Sequence, residues 1–196
     1  MVDINPRKLI GVWDEGYALD AHTLSSNYLG DDPYGNPRFD TTRSKIGELL
    51  FQLKYRNNLN ALDEMMKLVI PFLDGWKEIA GVGYVIPVPS SKTRLLQPVT
   101  EIAYRIADYL KVGCSDDILI KTSSNQMKDI SPEDKGKQIE GSIQKIKEAR
   151  AEHNVLLVDD LYQSGTTLSE CVRILRKDSM IKAIYVLTMT QTRGGR

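Results

Sequence analysis

The sequence predicts an α/β protein built on a parallel sheet, and three observations carry that expectation. Residues 155–158 (Val-Leu-Leu-Val) form an unbroken apolar run, the pattern of a strand buried on both faces. Behind it, Leu168, Cys171, Val172 and Leu175 fall on one face of a 3.6-residue period, so a helix follows the strand. The same pairing occurs upstream. Residues 81–88 (GVGYVIPV) read as a buried strand, and Val99, Ile102, Ala103, Ile106, Ala107 and Leu110 then share one helical face, with Pro98 suited to the first turn. Strands alternating with helices at these spacings imply a parallel sheet with right-handed crossovers.

The remaining elements follow from local pattern. Residues 117–120 give a second short strand after the 98–110 helix, and residues 183–190 a fourth after a helix running to about Lys177. In the N-terminal third, residues 11–19 suit a strand or a hairpin arm, and residues 31–37 (DDPYGNP) are turn-rich. Two helices are expected next, one with Ile46, Leu49, Leu50 and Leu53 on a face, the other with Leu62, Met65, Met66 and Val69. Trp13 and His22 each stand alone and are expected to pack rather than react. In open parallel sheets, ligands bind at the carboxyl ends of the strands. That gathers Asp159, the loop after Pro87 and the polar stretch after Lys121 around one crevice.

Bulk properties narrow the classes. The 196 residues suffice for one α/β unit with a modest elaboration, and 26 basic residues balance 26 acidic ones, giving no sign of a nucleic-acid surface. Cys114 and Cys171 lie far apart without CxxC or Cys/His spacing, which argues against a zinc site. No apolar run approaches membrane-spanning length, and the N-terminus lacks a signal-peptide core, so a soluble cytoplasmic protein is expected. Direct nucleic-acid binding is not expected, since basic and aromatic residues do not interleave and the basic tail is confined to Arg193 and Arg196.

The chemistry concentrates at residues 155–167 (VLLVDDLYQSGTT). Asp159 and Asp160 sit where the strand is expected to end, and Gln163, Ser164, Gly165, Thr166 and Thr167 lead into the helix. A strand-to-helix loop presents free N–H groups and the positive end of the helix dipole, and Gly165 lets the backbone approach an anion. The hydroxyls of Ser164, Thr166 and Thr167 suit a phosphate monoester. The carboxylates would repel that anion unless a polar group lies between, and as acceptors they fit a vicinal diol. Phosphate at one end and a diol in the middle describe a ribose 5-phosphate. Capping alone would explain one hydroxyl but not this ordered string.

This string resembles the phosphoribosyl pyrophosphate (PRPP) signature of type I phosphoribosyltransferases. The resemblance implies that fold, with a hood-like N-terminal segment over residues 1–78 packed on a PRPP-binding core over residues 79–196. It implies that Asp159 and Asp160 hold the ribose diol and that residues 163–167 hold the 5′-phosphate. The Pro-rich loop after residue 87 would be the pyrophosphate loop, with donors Ser90, Ser91, Lys92 and Arg94. The long polar stretch of residues 121–142 has the length of a lid and corresponds to the family's flexible catalytic loop. Lys121 is its first candidate, followed by Lys128, Lys135 and Lys137. Mg²⁺ is the implied cofactor, held mainly through substrate oxygens and water, with Asp159 or Asp160 as protein ligand. The implied reaction is displacement of pyrophosphate from C1 of PRPP by an unidentified acceptor.

Within that superfamily the chain is similar to the competence-associated ComF/GntX group. Residues 47–55 resemble that group's helix ending in Leu-Lys-Tyr, IPVPSSKTRLLQ resembles its Pro-Val-Pro segment, and KTSSNQMKDIS its Thr…Gln…Leu-Ser loop. The group's cysteine-rich zinc module is missing, with residues 13–38 in its place. Its Arg-Gly-Phe-Asn-Gln string is shortened to Arg94-Leu-Leu-Gln97, and the acceptor-base segment of purine-salvage relatives is absent. A homodimer and a DNA-processing partner are further implications. The alternative is a PRPP- or nucleotide-binding regulator, or a partner subunit in DNA uptake, that transfers nothing.

Overall fold

A computed structural model describes residues 4–90, 96–121 and 142–192. Its centre is a six-stranded sheet in the order β1-β2-β10-β9-β5-β6. The strands are β1 (Arg7–Lys8), β2 (Glu15–Ala21), β5 (Val82–Pro87), β6 (Gly113–Cys114), β9 (His153–Tyr162) and β10 (Ile181–Gln191). All neighbours run parallel except β1 against β2. Two antiparallel ribbons stand apart: β3 (Thr23–Asp31) with β4 (Pro37–Arg43), and β7 (Leu119–Lys121) with β8 (Ile143–Lys145).

Among the described residues four α-helices cover the sheet. On one face lie α1 (Lys45–Arg56), α2 (Asn60–Gly75) and α3 (Pro98–Leu110), packed on Leu19, Val85, Leu156, Val158 and Leu187. On the other lies α4 (Thr166–Leu175), with Leu168, Cys171, Val172 and Leu175 against Val155, Leu157, Ile184 and Val186. The alternation of β9 explains this, because Leu156 and Val158 leave on one face and Val155 and Leu157 on the other. The 98–110 helix forms as its periodicity predicts, and Lys111 ends it with a left-handed backbone at φ 58°. Among the described residues no helix is long and apolar enough to cross a membrane.

Two expectations need correction. The strand at residue 155 does not stop at the aspartates. It runs on to Tyr162, because β10 continues beside it, pairing Thr188 with Asp159 and Gln191 with Tyr162. The short strand near residue 119 lies outside the main sheet. It pairs with β8, and among the described residues only Gly113 and Cys114 extend the sheet beyond β5. The segment near residue 15 is a strand, as its pattern suggests, and an interior one, antiparallel to β1 and hydrogen-bonded to β10 from Glu15 to Ala21. Residues on both sides of position 78 therefore share one sheet and one apolar cluster, in which Leu19, Ile46 and Leu62 meet Val85, Ile102 and Leu156.

Candidate functional site

The site forms at the carboxyl ends of β5 and β9, where the sheet stops covering itself. Asp159 and Asp160 are consecutive strand residues, so their side chains leave on opposite faces. Asp160 turns toward α1, and its Oδ2 lies 2.6 Å from Lys54 Nζ in a mostly buried ion pair. Asp159 turns toward the α4 side, where Cys171 feels its charge. Its Oδ1 accepts the Asp160 N–H at 2.8 Å. Both carboxylates nevertheless line one pocket of about 260 Å³, together with Ser90, Gln97, Lys121 and Thr167.

Electrostatics separate the pair. Burial pushes the Asp159 carboxyl up to about 7, and the neighbouring Asp160 charge adds to the rise, while the Asp160 N–H, Lys54 and Lys121 pull it back. Below neutrality this acid is largely protonated although solvent still reaches part of it. Lys54 compensates its neighbour instead. The Asp160 backbone is also fixed, because Thr190 Oγ1 donates to Asp160 O at 3.0 Å. That commits the threonine proton, so His22 Nδ1, 3.1 Å from the same oxygen, is the donor in the next link. Burial, Lys54 and Arg43 together lower the pKa of His22.

The loop between β9 and α4 runs directly into a helix N-terminus. Gly165 takes the N-cap position at φ 73°, a left-handed backbone that favours glycine. A Cβ there would stand 2.9 Å from the Tyr162 ring. No side chain caps the helix, whose first backbone bond beyond the turn runs from Ser169 N to Gly165 O at 2.8 Å. The hydroxyls of Ser164 and Thr166 instead bond each other at 2.9 Å. Capping therefore does not explain these residues, and the leading amides keep their donors for a ligand.

Of the residues expected from sequence, the fold brings Asp159, Asp160, Lys121, Ser90 and Thr167 to one pocket. Gln163, Ser164 and Thr166 stand exposed on the adjoining loop with Gly165 half-buried between them. Ser91, Lys92, Arg94, Lys128, Lys135 and Lys137 lie outside the described residues. Trp13 is a packing residue, its indole donating to Leu9 O at 3.1 Å and meeting the Tyr162 ring edge-on. Sequence reasoning missed Lys54, Gln97 and the His22–Thr190 link. For Lys54 a signal existed, since it is the lysine of the Leu-Lys-Tyr helix end. A cation in a last helical turn is ordinarily a solvated partner of the helix dipole, so nothing local marks this one. Among the described residues no group of three or more His, Cys, Asp or Glu converges as a metal site. The donors at hand are the two carboxylates, which suit a Mg²⁺ that arrives with substrate oxygens.

The phosphoribosyl transferase domain family matches residues 100–195, the stretch that holds most of α3, then β9, the loop after it, α4 and β10. That match and the mostly parallel sheet with its four helices define the class, an α/β protein with the type I phosphoribosyltransferase fold. Similar solved structures include the orotate phosphoribosyltransferase from Aeropyrum pernix, at 14% identity and a TM-score of 0.48 over 86% of this chain and 77% of that one. The adenine phosphoribosyltransferase from Leishmania donovani is similar at 10% identity and 0.46, over 93% and 86% respectively. That from Saccharomyces cerevisiae, complexed with adenine and an imino-altritol bisphosphate, gives 12% and 0.44, over 85% of each chain. No curated protein matches the chain.

Proposed function

We propose that this protein binds PRPP with Mg²⁺ at the carboxyl end of β9 and displaces pyrophosphate from C1 of the ribose with an acceptor yet to be identified. The observation that supports this reading most strongly is the meeting of Asp159 and Asp160 with Lys121, Ser90 and Thr167 around one pocket beside an uncapped helix N-terminus. The amides of the loop at Gly165, with the hydroxyls of Ser164, Thr166 and Thr167, hold the 5′-phosphate. Asp159 and Asp160 accept the ribose hydroxyls, and the carboxylates oppose positive charge developing on the ring as the C1–oxygen bond breaks. Mg²⁺, bound through pyrophosphate and ribose oxygens, supplies charge neutralisation of the leaving group. Lys121 and Ser90 face the pyrophosphate from either side of the crevice.

Lys54 acts on the diol side. Its ammonium holds Asp160 in one rotamer, so the acceptor oxygens are positioned before the sugar arrives. Calorimetric titration with PRPP and Mg²⁺ tests the reading, using the wild type and an Asp159→Asn/Asp160→Asn double variant. Saturable binding to the wild type that disappears in the variant is expected. A folded wild type that takes up no PRPP would overturn it. Pyrophosphate release on adding candidate acceptor bases then separates transfer from mere binding.

A further inference from the structure

A larger cavity, about 690 Å³, opens at the other end of the central strands. Its floor is Tyr84 and Ile86 of β5, His153 and Val155 of β9, and Ile181 of β10. Ile86 and Val155 belong to the cluster under α4, whereas Tyr84 and Ile181 stay only partly buried, as does Ile118 in the roof. The segment after β8, residues 145–150, completes the rim. Asp159 is six residues further along β9 than His153, about 20 Å at roughly 3.3 Å per residue. A small molecule in this cavity does not reach the aspartates.

The polar groups at the rim are unevenly engaged. Asp178 accepts from Lys145 Nζ at 2.6 Å, from Ala149 N at 2.9 Å and from Met180 N at 3.0 Å. Glu148 pairs with Lys145, and Asp117, on the loop forming the roof, with Lys147 and Ser115. Each of these carboxylates is thus neutralised within the protein. Arg150 is exposed at the rim and makes no ion pair or hydrogen bond among the described residues. The ring nitrogens of His153 likewise have no hydrogen-bond partner there, and the ring only tilts against Tyr84 with centroids 5.9 Å apart. An apolar chamber of drug-like size with unspent donors at one side selects a flat apolar body carrying an acid group. The Tyr84–His153 pair offers ring faces and edges to such a body.

We propose that this cavity is a second ligand site, separate from the anion loop, which takes a small aromatic organic anion. Its ring lies between Tyr84, Ile118 and Ile181, and its carboxylate, sulfonate or phosphate points to Arg150 and His153. The test is fluorescence titration of the full chain with 8-anilinonaphthalene-1-sulfonate, an aromatic sulfonate whose emission rises on leaving water. One saturable site per chain is expected, weakened about tenfold or more by Arg150→Glu, the loss typical of a charge-assisted contact. Arg150 holds nothing among the described residues, so that variant keeps the wild-type melting curve. Filling the chamber from its roof with Ile118→Trp should abolish the signal. The Asp159→Asn/Asp160→Asn variant should bind the dye like the wild type, with no displacement by inorganic pyrophosphate. Displacement by pyrophosphate would assign the dye to the anion loop and overturn the proposal. So would absence of saturation, undiminished binding by Arg150→Glu, or equal affinity for uncharged N-phenyl-1-naphthylamine.

Discussion

Replacing Asp159 with Asn should stabilise the fold while removing function. In the folded chain, burial pushes this carboxyl from 3.8 up to about 7. A group whose folded pKa is raised binds its proton more tightly in the native state than in the unfolded one, so stability falls as pH rises across that interval. The penalty is absent near pH 4, grows toward pH 7 and is constant above. Felt in full, the difference would be about 4 kcal/mol. Solvent still reaches part of the carboxylate, and screening there reduces the effect to about 1–2 kcal/mol. Asn keeps the shape and can still accept the Asp160 N–H, which the carboxylate takes at 2.8 Å. Thermal unfolding at pH 8 should therefore show the variant melting about 2–8 °C above the wild type, given roughly 2–4 °C per kcal/mol at this chain length. The gap should close progressively as pH falls from 7 to 4. A gap independent of pH, or a variant less stable at pH 8, would refute the argument that desolvation of this acid is a standing cost of the site.

Gly165→Ala places a Cβ at φ 73° and 2.9 Å from Tyr162, a cost of about 1–2 kcal/mol from backbone strain before the ring moves; a melting loss of about 4 °C or more is expected, with weaker phosphate binding by calorimetry. Lys54→Met leaves Asp160 without its 2.6 Å partner and should cost about 1–3 kcal/mol in urea unfolding. Asp160→Asn should recover much of that loss in a double-mutant cycle, and strict additivity would mean the pair does not act as one. Asp178 is held well below the usual carboxylate range, first by the Ala149 N–H, then by Lys145. Its stabilisation is present above about pH 4 and disappears as pH falls through its folded value, so the deficit of Asp178→Asn at pH 7 should shrink in acid denaturation below pH 4. A fragment of residues 79–196 leaves β10 without β2 along six register pairs and strips the shared cluster of Leu19, Ile46 and Leu62. It should lack a cooperative melting transition, which near-ultraviolet circular dichroism would reveal.

What the sequence made legible was whatever carried its own period. The face of Val99, Ile102 and Ile106 predicts α3 with its bounds, and the run Val155 to Val158 predicts the core of β9. β2 is harder because its sheet residues are small. Gly16 and Ala18 face the α4 side, and the Trp13 indole fills the space, so that a Cβ on Gly16 would meet Trp13 Nε1 at 2.7 Å. The apolar bulk of that strand is borrowed from a residue outside it, and alternation cannot report it. The β3–β4 ribbon is exposed on most of both faces, with Tyr28 and Phe39 paired at 5.6 Å, so only its turn was readable. The loop residues of the site were legible because the PRPP-like string is local. Lys54 carried only the Leu-Lys-Tyr likeness, because its partner Asp160 lies on a strand more than a hundred residues away.

That distance has a consequence for how the site is built. The family match begins at residue 100, yet the pocket takes Lys54 from α1 and Ser90 from the loop after β5. The Asp160 carbonyl is tied through Thr190 to His22. Residues before the match thus act on the electrostatics of the aspartates directly: Lys54 draws Asp160 toward the helical face and lowers the cost of charge on Asp159. A carboxylate pair on one strand end would otherwise repel itself, and the loop amides at Gly165 lie beyond the next turn. The N-terminal third therefore supplies a cation that, with Lys121, lets two adjacent acids coexist near the end of β9.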